Sequence, residues 1–401
     1  MERDRRRTLI GESIGHAAHD TWFGIAPVLL AALSVPLKLS NSDIGLIVLL
    51  YQGVSSLAQP SFGRLSERMG GRWLAVGAIC WTTLMFSIII LFPTRPVLTV
   101  CIALAGFGSA AWHPQGAANA MLAGGERRAA TASAVFFLGG TLGTSILGAA
   151  LGGFLLGTFG RQSLLVLSAI SVLLALTVVR STVPRRLETQ AKSTAGVTSS
   201  VNGASRRAFW LIFVFLMLAI GLRSFANQSI STYVPKQQQD LGISPSTYGL
   251  VLSLFFFCTA VGALLGSYLA DRVGVRRVLV GSMVLTALTL FGATHLQGLW
   301  SYVLLGATGM LIGPSHTLLV LVGQRQFPQR MAMMTGVFLG FTFFSGAGGA
   351  WLLGLGADRV GLTTALQVLP WALVAAAILS LVAVPRTASR PAPREAEPAR
   401  A

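Results

Sequence analysis

A chain of 401 residues that is 53% hydrophobic and 11% charged, with mean hydropathy +0.69, has more apolar surface than a water-soluble globule can bury. Its 30 basic residues against 13 acidic ones leave a net charge of +17, which on a soluble protein would suggest a nucleic-acid partner. The placement of those charges sets nucleic acid aside and points to a lipid bilayer instead.

Apolar runs predict twelve membrane-spanning helices, at 8–33, 43–63, 73–92, 97–122, 129–157, 162–180, 208–233, 245–269, 278–296, 299–322, 332–356 and 363–384. With the Arg5 end in the cytoplasm, 24 basic residues fall on the inner side and 5 on the outer, loop by loop. That asymmetry is the positive-inside rule, so both termini are expected in the cytoplasm. The first run is longer than a signal-peptide core and lacks a clear small-residue cleavage site, so it reads as a retained helix. Cys80, Cys101 and Cys258 all lie in apolar spans, as small core residues rather than a disulfide framework.

Four of the spans carry chemistry. In the first, Asp20 lies a dozen residues past Thr8, about 18 Å into a hydrocarbon core roughly 30 Å thick. His16 is four residues earlier, on the same helix face, and His19 is adjacent. An acid and an imidazole at that depth predict a proton-coupling site formed by Asp20, His16 and His19; a polar pair tucked into a helix contact is the plainer alternative. In the fourth and tenth spans, His113 precedes Pro114 and His316 follows Pro314. Proline frees a backbone carbonyl, so each histidine is either a satisfied structural residue or a substrate or proton ligand. The seventh span holds Arg223, with Asn227 and Gln228 a turn further on. A guanidinium there either binds an anionic substrate through its planar fork or pairs with Asp20. No His, Cys or acidic group has metal-ligand spacing, no glycine loop would cradle a nucleotide, and no nucleophile sits beside a base. An enzyme, an ATP-driven pump, a metal site and a cofactor are therefore not expected.

The two halves of the chain repeat. Ser42 to Leu49 recurs as Ser246 to Ser253, and Glu67-Arg68-Met69-Gly70 as Asp271-Arg272-Val273-Gly274, both at an offset of 204. Gly106 and Pro114 recur as Gly306 and Pro314. The fold class expected is an all-α membrane protein of twelve helices in two six-helix pseudo-repeats. Residues 1–180 and 208–384 would form the bundles, 181–207 a cytoplasmic linker and 385–401 a disordered cytoplasmic tail.

The segment Gly63-Arg64-Leu65-Ser66-Glu67-Arg68-Met69-Gly70-Gly71-Arg72 resembles the loop signature of the major facilitator superfamily, with Glu67 for Asp and Gly71 for Arg. The second copy keeps Asp271, Arg272 and Arg276 but has Ser267 for the first glycine. As a gating motif, Gly63 would allow close helix approach, while Glu67, Arg68, Arg72, Asp271, Arg272 and Arg276 would form switchable latches. His16-x-x-His19-Asp20, Gln59-Pro60, the Gly106 to Pro114 stretch, Gly139-Gly140-x-x-Gly143 and Met334 to Phe341 are similar to the fosmidomycin-resistance branch of that superfamily. His19 stands where that branch leads us to expect Asn. Gly148 to Gly153 partly resembles an antiporter motif but lacks its proline, and small residues that let helices touch explain it equally well.

The resemblance implies a monomeric secondary transporter of the bacterial inner membrane. It would export small drug-like or anionic compounds against entering protons. A metabolite importer or uniporter of the same fold is the alternative, and a non-transporting membrane sensor a more distant one.

Overall fold

Two helices begin in the same way, half a molecule apart. Ser40 Oγ accepts from the Asp43 amide at 3.0 Å while the Asp43 carboxylate accepts from the Ser40 amide at 2.9 Å, a reciprocal cap. Ser244, at the 204-residue offset, accepts from the Thr247 amide at 3.4 Å ahead of Pro245. The computed structural model describes residues 3–69, 71–185, 206–326 and 331–384, and these contain twelve long helices and no strand. They are α1 (Arg3–Ser34), α2 (Asn41–Met69), α3 (Gly71–Leu91), α4 (Arg95–Gly125), α5 (Thr131–Phe159) and α6 (Arg161–Thr182). The second six are α7 (Arg206–Asp240), α8 (Pro245–Val273), α9 (Val275–His295), α10 (Leu299–Gln326), α11 (Met331–Val360) and α12 (Leu362–Ala383).

Ten of these helices are long and apolar enough to cross a membrane. The two that fall short on hydropathy, α1 and α2, are 32 and 29 residues long and carry the polar groups. Glu12, His16, His19 and Asp20 lie in α1, and Gln52, Ser55 and Gln59 in α2. Hydropathy is lowest in the helices that build the site.

The stretch 63–72, expected as a loop, is helical up to Met69 and again from Gly71. Its repeat turns at Gly274, whose φ of 98° is open only to glycine at low strain. The linker residues 186–205 and the tail 385–401 lie outside the described residues.

α1, α2 and α3 pack on α4 in one half; α8 and α9 pack on α10, and α7 on α11 and α12, in the other. The halves meet along α2–α11 and α5–α8. Buried apolar residues form one continuous cluster across both halves at the Ser34 end of α1, including Trp22, Ile25, Tyr233 and Tyr248. Toward the arginine-rich face they split into two separate clusters, around Ala75, Trp112 and Phe136 in one half and Leu279, Phe338 and Ala377 in the other. One shared core at one end and two at the other describe a molecule closed on its arginine-poor side.

That closure is tight and partly polar. The Asp358 carboxylate, near the end of α11, accepts from the Asn41 and Ser42 amides at 2.8 and 3.0 Å and so caps the positive end of α2 across the seam. The Tyr233 hydroxyl lies 2.9 Å from the Asn41 carbonyl and 2.8 Å from the Ala350 carbonyl. On the α5–α8 seam a Cβ on Gly249 would stand 2.4 Å from the Ala149 carbonyl oxygen and 2.9 Å from Gly153 Cα. Residues Gly143–Leu151 of α5 are π-helical, and this widened turn carries the small residues that meet both α1 and α8.

Candidate functional site

Asp20 is the centre of a histidine cluster. Its Oδ2 lies 3.2 Å from His16 Nε2, and its Oδ1 lies 2.9 Å from His19 Nδ1 and 3.6 Å from His113 Nε2. His16 and His19 come from the same helix; His113 is delivered by α4, which packs on α1 through Trp112. The His16 and His19 side chains are buried, whereas Asp20 and His113 keep 15% and 35% of their surface. The cluster therefore has a dry back and an open front.

Packing explains the glycines noted in α5. A Cβ on Gly140 would come within 2.6 Å of the His16 ring, and those on Gly139 and Gly143 would meet the Ser13 and Ala17 carbonyl oxygens at 2.3 and 2.4 Å. Bare backbone there lets α5 lie against α1. His16 stacks on Phe136 at a centroid distance of 4.0 Å, and His19 lies nearly parallel to Trp112 at 5.9 Å.

Hydrogen bonding assigns the protons. His16 Nδ1 faces the Phe136 carbonyl at 2.9 Å, and a carbonyl only accepts, so Nδ1 carries hydrogen. Its Nε2 then faces a carboxylate oxygen, and one further proton must lie between them. The pair is either imidazolium and carboxylate or imidazole and carboxylic acid. His19 can stay neutral, because Nδ1–H donates to Asp20 while the Thr82 hydroxyl, 3.4 Å away, can donate to Nε2. His113 Nδ1 faces the Ser109 carbonyl at 2.9 Å, so its Nε2 can take or give a proton at the open front.

The chain spacing held no metal-site pattern, yet one ligand atom each of His16, Asp20 and His113 lies within 4.8 Å of the others. Tertiary packing makes this cluster, because His113 is 93 residues from Asp20. Each Asp20 oxygen already faces an imidazole nitrogen, Oδ1 that of His19 and Oδ2 that of His16.

Arg223 stands apart. Its Nε donates to Ser315 Oγ at 3.0 Å and its Nη2 to the Ile312 carbonyl at 3.3 Å, both on α10 beside Pro314. The side chain is buried, 4% exposed, and forms no ion pair with a carboxylate among the described residues. The pair with Asp20 is not formed, because three histidines occupy that carboxylate. Arg223→Ala and Asp20→Ala should therefore change stability additively, with a coupling below about 0.5 kcal/mol in a double-mutant cycle of detergent unfolding. A coupling of several kcal/mol would place the two in contact.

His316 follows Ser315 on α10, next to the arginine and in the opposite half from His113. Asn227 Oδ1 is buried without a hydrogen-bond partner. Gln228 reaches a small cavity of about 30 Å³ between the halves. Phe23, Tyr51 and Gln52 line it from one half and Gln228, Thr232 and Phe256 from the other. Phe23 is three residues beyond Asp20, so the cluster sits just under this cavity on the same helix.

The motif arginines act within each half. Arg72 Nε donates to the Val183 carbonyl at 2.7 Å and Arg276, 204 residues later, donates to the Leu381 carbonyl at 2.8 Å. Each binds a carbonyl at the end of its half's sixth helix, Leu381 within the last turn and Val183 one residue past it, where the backbone is electron-rich. The Arg272 guanidinium lies over the Tyr268 ring at 4.2 Å, and Asp271 and Arg68 are exposed. The side chain of Glu67 lies outside the described residues. Gly63 does not make the close approach expected of it, since a Cβ there would meet only Pro114 at 3.9 Å.

Sequence reasoning passed over Glu12, Gln115 and Asn119, which are buried together, and Asp358 and Tyr233 at the closed seam. Glu12 was within reach, because 12, 16 and 20 form one stripe of α1.

A sequence profile of the Major Facilitator Superfamily matches residues 15–237 and 216–401. Over 357 residues the chain is 27% identical to the "Fosmidomycin resistance protein" of Escherichia coli (strain K12), covering 87% of this chain and 86% of that one. It is 26% identical over 361 residues to the "Uncharacterized MFS-type transporter YfnC" of Bacillus subtilis (strain 168), covering 88% and 87%. Among solved structures, a bacterial homolog of the human lysosomal transporter Spinster, in an inward-facing and occupied conformation, superposes with a TM-score of 0.78 at 14% identity, covering 96% and 97%. The nucleoside transporter NupG superposes with a TM-score of 0.69 at 16% identity, covering 95% and 99%. With its twelve helices, its paired loop motifs and a profile match over nearly its whole length, this multi-pass membrane protein belongs to the Major Facilitator Superfamily.

Proposed function

We propose that this protein is a proton-coupled secondary transporter of a bacterial cytoplasmic membrane, with both termini inside, that exports small drug-like or anionic compounds by alternating access. The observation that carries the reading is the single proton required between His16 Nε2 and Asp20 Oδ2 at 3.2 Å, beneath a cavity shared by the two halves. Removing that proton sets an imidazole lone pair against a carboxylate, so the site must rearrange when it empties. His16 is wedged between α1, α4 and α5, and its rearrangement biases how these helices pack, and through α5 the seam with α8.

The cavity supports the substrate class. Once the halves part and widen this small space, its aromatic faces and the Gln52 and Gln228 amides would suit a small polar or amphiphilic solute. Among the described residues Arg223 has no carboxylate partner, and its field in a low-dielectric bundle favours an anion nearby. A phosphonate such as fosmidomycin, the compound in the name of the E. coli relative, has that charge.

The experiment is proton flux in proteoliposomes, reported by a trapped pH dye, as fosmidomycin, other phosphonates, sugars and amphiphilic drugs are added in turn. The expected result is proton movement opposite to that of a phosphonate. Movement of both in the same direction would turn the reading to a symporting importer, and substrate movement without protons to a uniporter.

A further inference from the structure

Glu12 is the most deeply buried acid of the described chain, at 0% exposure, and the proton site described above makes no use of it. It lies two turns before Asp20 on the same stripe of α1, about 12 Å toward the arginine-rich face. Its partners are amides only: Asn119 Nδ2 donates to Oε1 at 2.5 Å, and the same amide nitrogen lies 2.9 Å from Gln115 Oε1. Three atoms of this cluster, Glu12 Oε2, Gln115 Nε2 and Asn119 Oδ1, are buried with no hydrogen-bond partner.

Among the described residues no cation pairs with the carboxylate. Arg72 on α3 is bound to the Val183 carbonyl, Arg180 on α6 lies over Trp73, and Arg5 on α1 reaches Gly125. His113 on α4 faces Asp20, and the surface that α5 brings to this side is Phe136, beside Gly116. Position 71 sharpens the point. There the superfamily signature would place an arginine and this chain has Gly71, over which a Cβ would stand 2.7 Å from Asn119 Nδ2 and 2.9 Å from Gln115 Oε1. The space a cation would need is filled by amides.

A fully buried, ionised carboxylate with neutral partners is strongly unfavourable, whereas a carboxylic acid is not. A proton on Oε2 removes the charge and turns an orphaned acceptor into a donor, with the unpartnered Asn119 Oδ1 as an acceptor in the same cluster. We propose that Glu12 is a second proton-binding site, protonated at rest, that passes protons between the His16–Asp20 pair and the arginine-rich face. This rests on the proton-coupled reading above. In each transfer the O–H bond at Oε2 breaks as an N–H or O–H bond forms at His16 or Asp20, directly or through water, and Glu12 is refilled from the aqueous side.

Infrared spectroscopy of the full-length protein in lipid tests both parts without a transported substrate. At pH 7 a protonated-carboxyl band that shifts in heavy water should be present in Asp20→Asn and lost when Glu12→Gln is added to it. Absence of that band from Asp20→Asn, or its persistence in the Glu12→Gln/Asp20→Asn double variant, would overturn the storage site. After a rapid acid jump the imidazole bands of the histidines should respond roughly a hundredfold more slowly in Glu12→Gln, with the rate largely restored in Glu12→Asp. Equal rates in all three proteins would overturn the transfer role. Imidazole bands that stay silent in every protein would instead remove the His16–Asp20 proton site itself, and the transfer role with it. Should Glu12→Gln fail to fold, Asn119→Leu provides the second measurement, because loss of the amide should shift the Glu12 band.

Discussion

Asp20→Asn should abolish uphill transport while leaving the protein folded. The amide keeps the shape of the carboxylate and most of its hydrogen bonds: Oδ1 still accepts from His19, and Nδ2 donates to His16 Nε2, which becomes a neutral acceptor. The labile proton is what disappears. One unit of pH gradient drives about a tenfold accumulation per proton, so the accumulation ratio in proteoliposomes should fall from about ten to about one. Downhill exchange of labelled substrate should persist and lose its dependence on pH. Thermal unfolding in detergent should move little, because no buried group loses its partner. Retained uphill transport in Asp20→Asn would end the proton role of this cluster. Loss of the folded protein would show that the histidine cage is structural first.

Gly249→Val should hold the molecule open on its arginine-poor side. The added Cβ would stand 2.4 Å from the Ala149 carbonyl oxygen, and backbone cannot swing away as a side chain can. Overpacking of this kind costs about 1–3 kcal/mol when it falls within a core. Here it falls on a seam between rigid halves, so separation relieves it. A bias near the top of that range changes a closed-to-open ratio of about 99 to 1 into nearly even. Spin labels at Lys38 and Arg359, exposed on either side of the seam, should report longer distances. Transport should fall roughly tenfold, since a cycle that closes poorly turns over poorly. Gly24→Val is the contrast. Its Cβ would stand 2.0 Å from the Thr144 carbonyl oxygen inside one half, where no seam can open, and it should reduce folded protein instead. If both variants lose expression equally, the α5–α8 contact is not a moving joint.

The repeat pattern explains why the architecture was legible before any contact was known. Apolar runs of membrane length, the Ser42–Leu49 stretch recurring at Ser246–Ser253, and the acid–arginine pair at 67–68 recurring at 271–272 are local signals that repeat. Helix length was less legible. The described part of the expected loop at 63–72 is helical, because tertiary packing lets a polar stretch keep helical geometry that its glycines alone would not favour.

For the site, periodicity placed His16 and Asp20 on one face of α1 and should also have shown Glu12. It could not show what packs on that face. His113 joins Asp20 from 93 residues away, and Gln115 and Asn119 enclose Glu12 from the same helix one turn apart. Arg223 was open to two partners on sequence grounds; packing placed its guanidinium on Ser315 and Ile312 and left Asp20 to the histidines. The sequence by itself determined the twelve helices, their repeat, their charge asymmetry and which residues share a helix face, because each follows from spacing along one chain segment. Only the tertiary structure decided which faces meet, which end of the seam is closed and where the shared proton lies, because these depend on glycine-permitted backbone approaches between helices far apart in sequence.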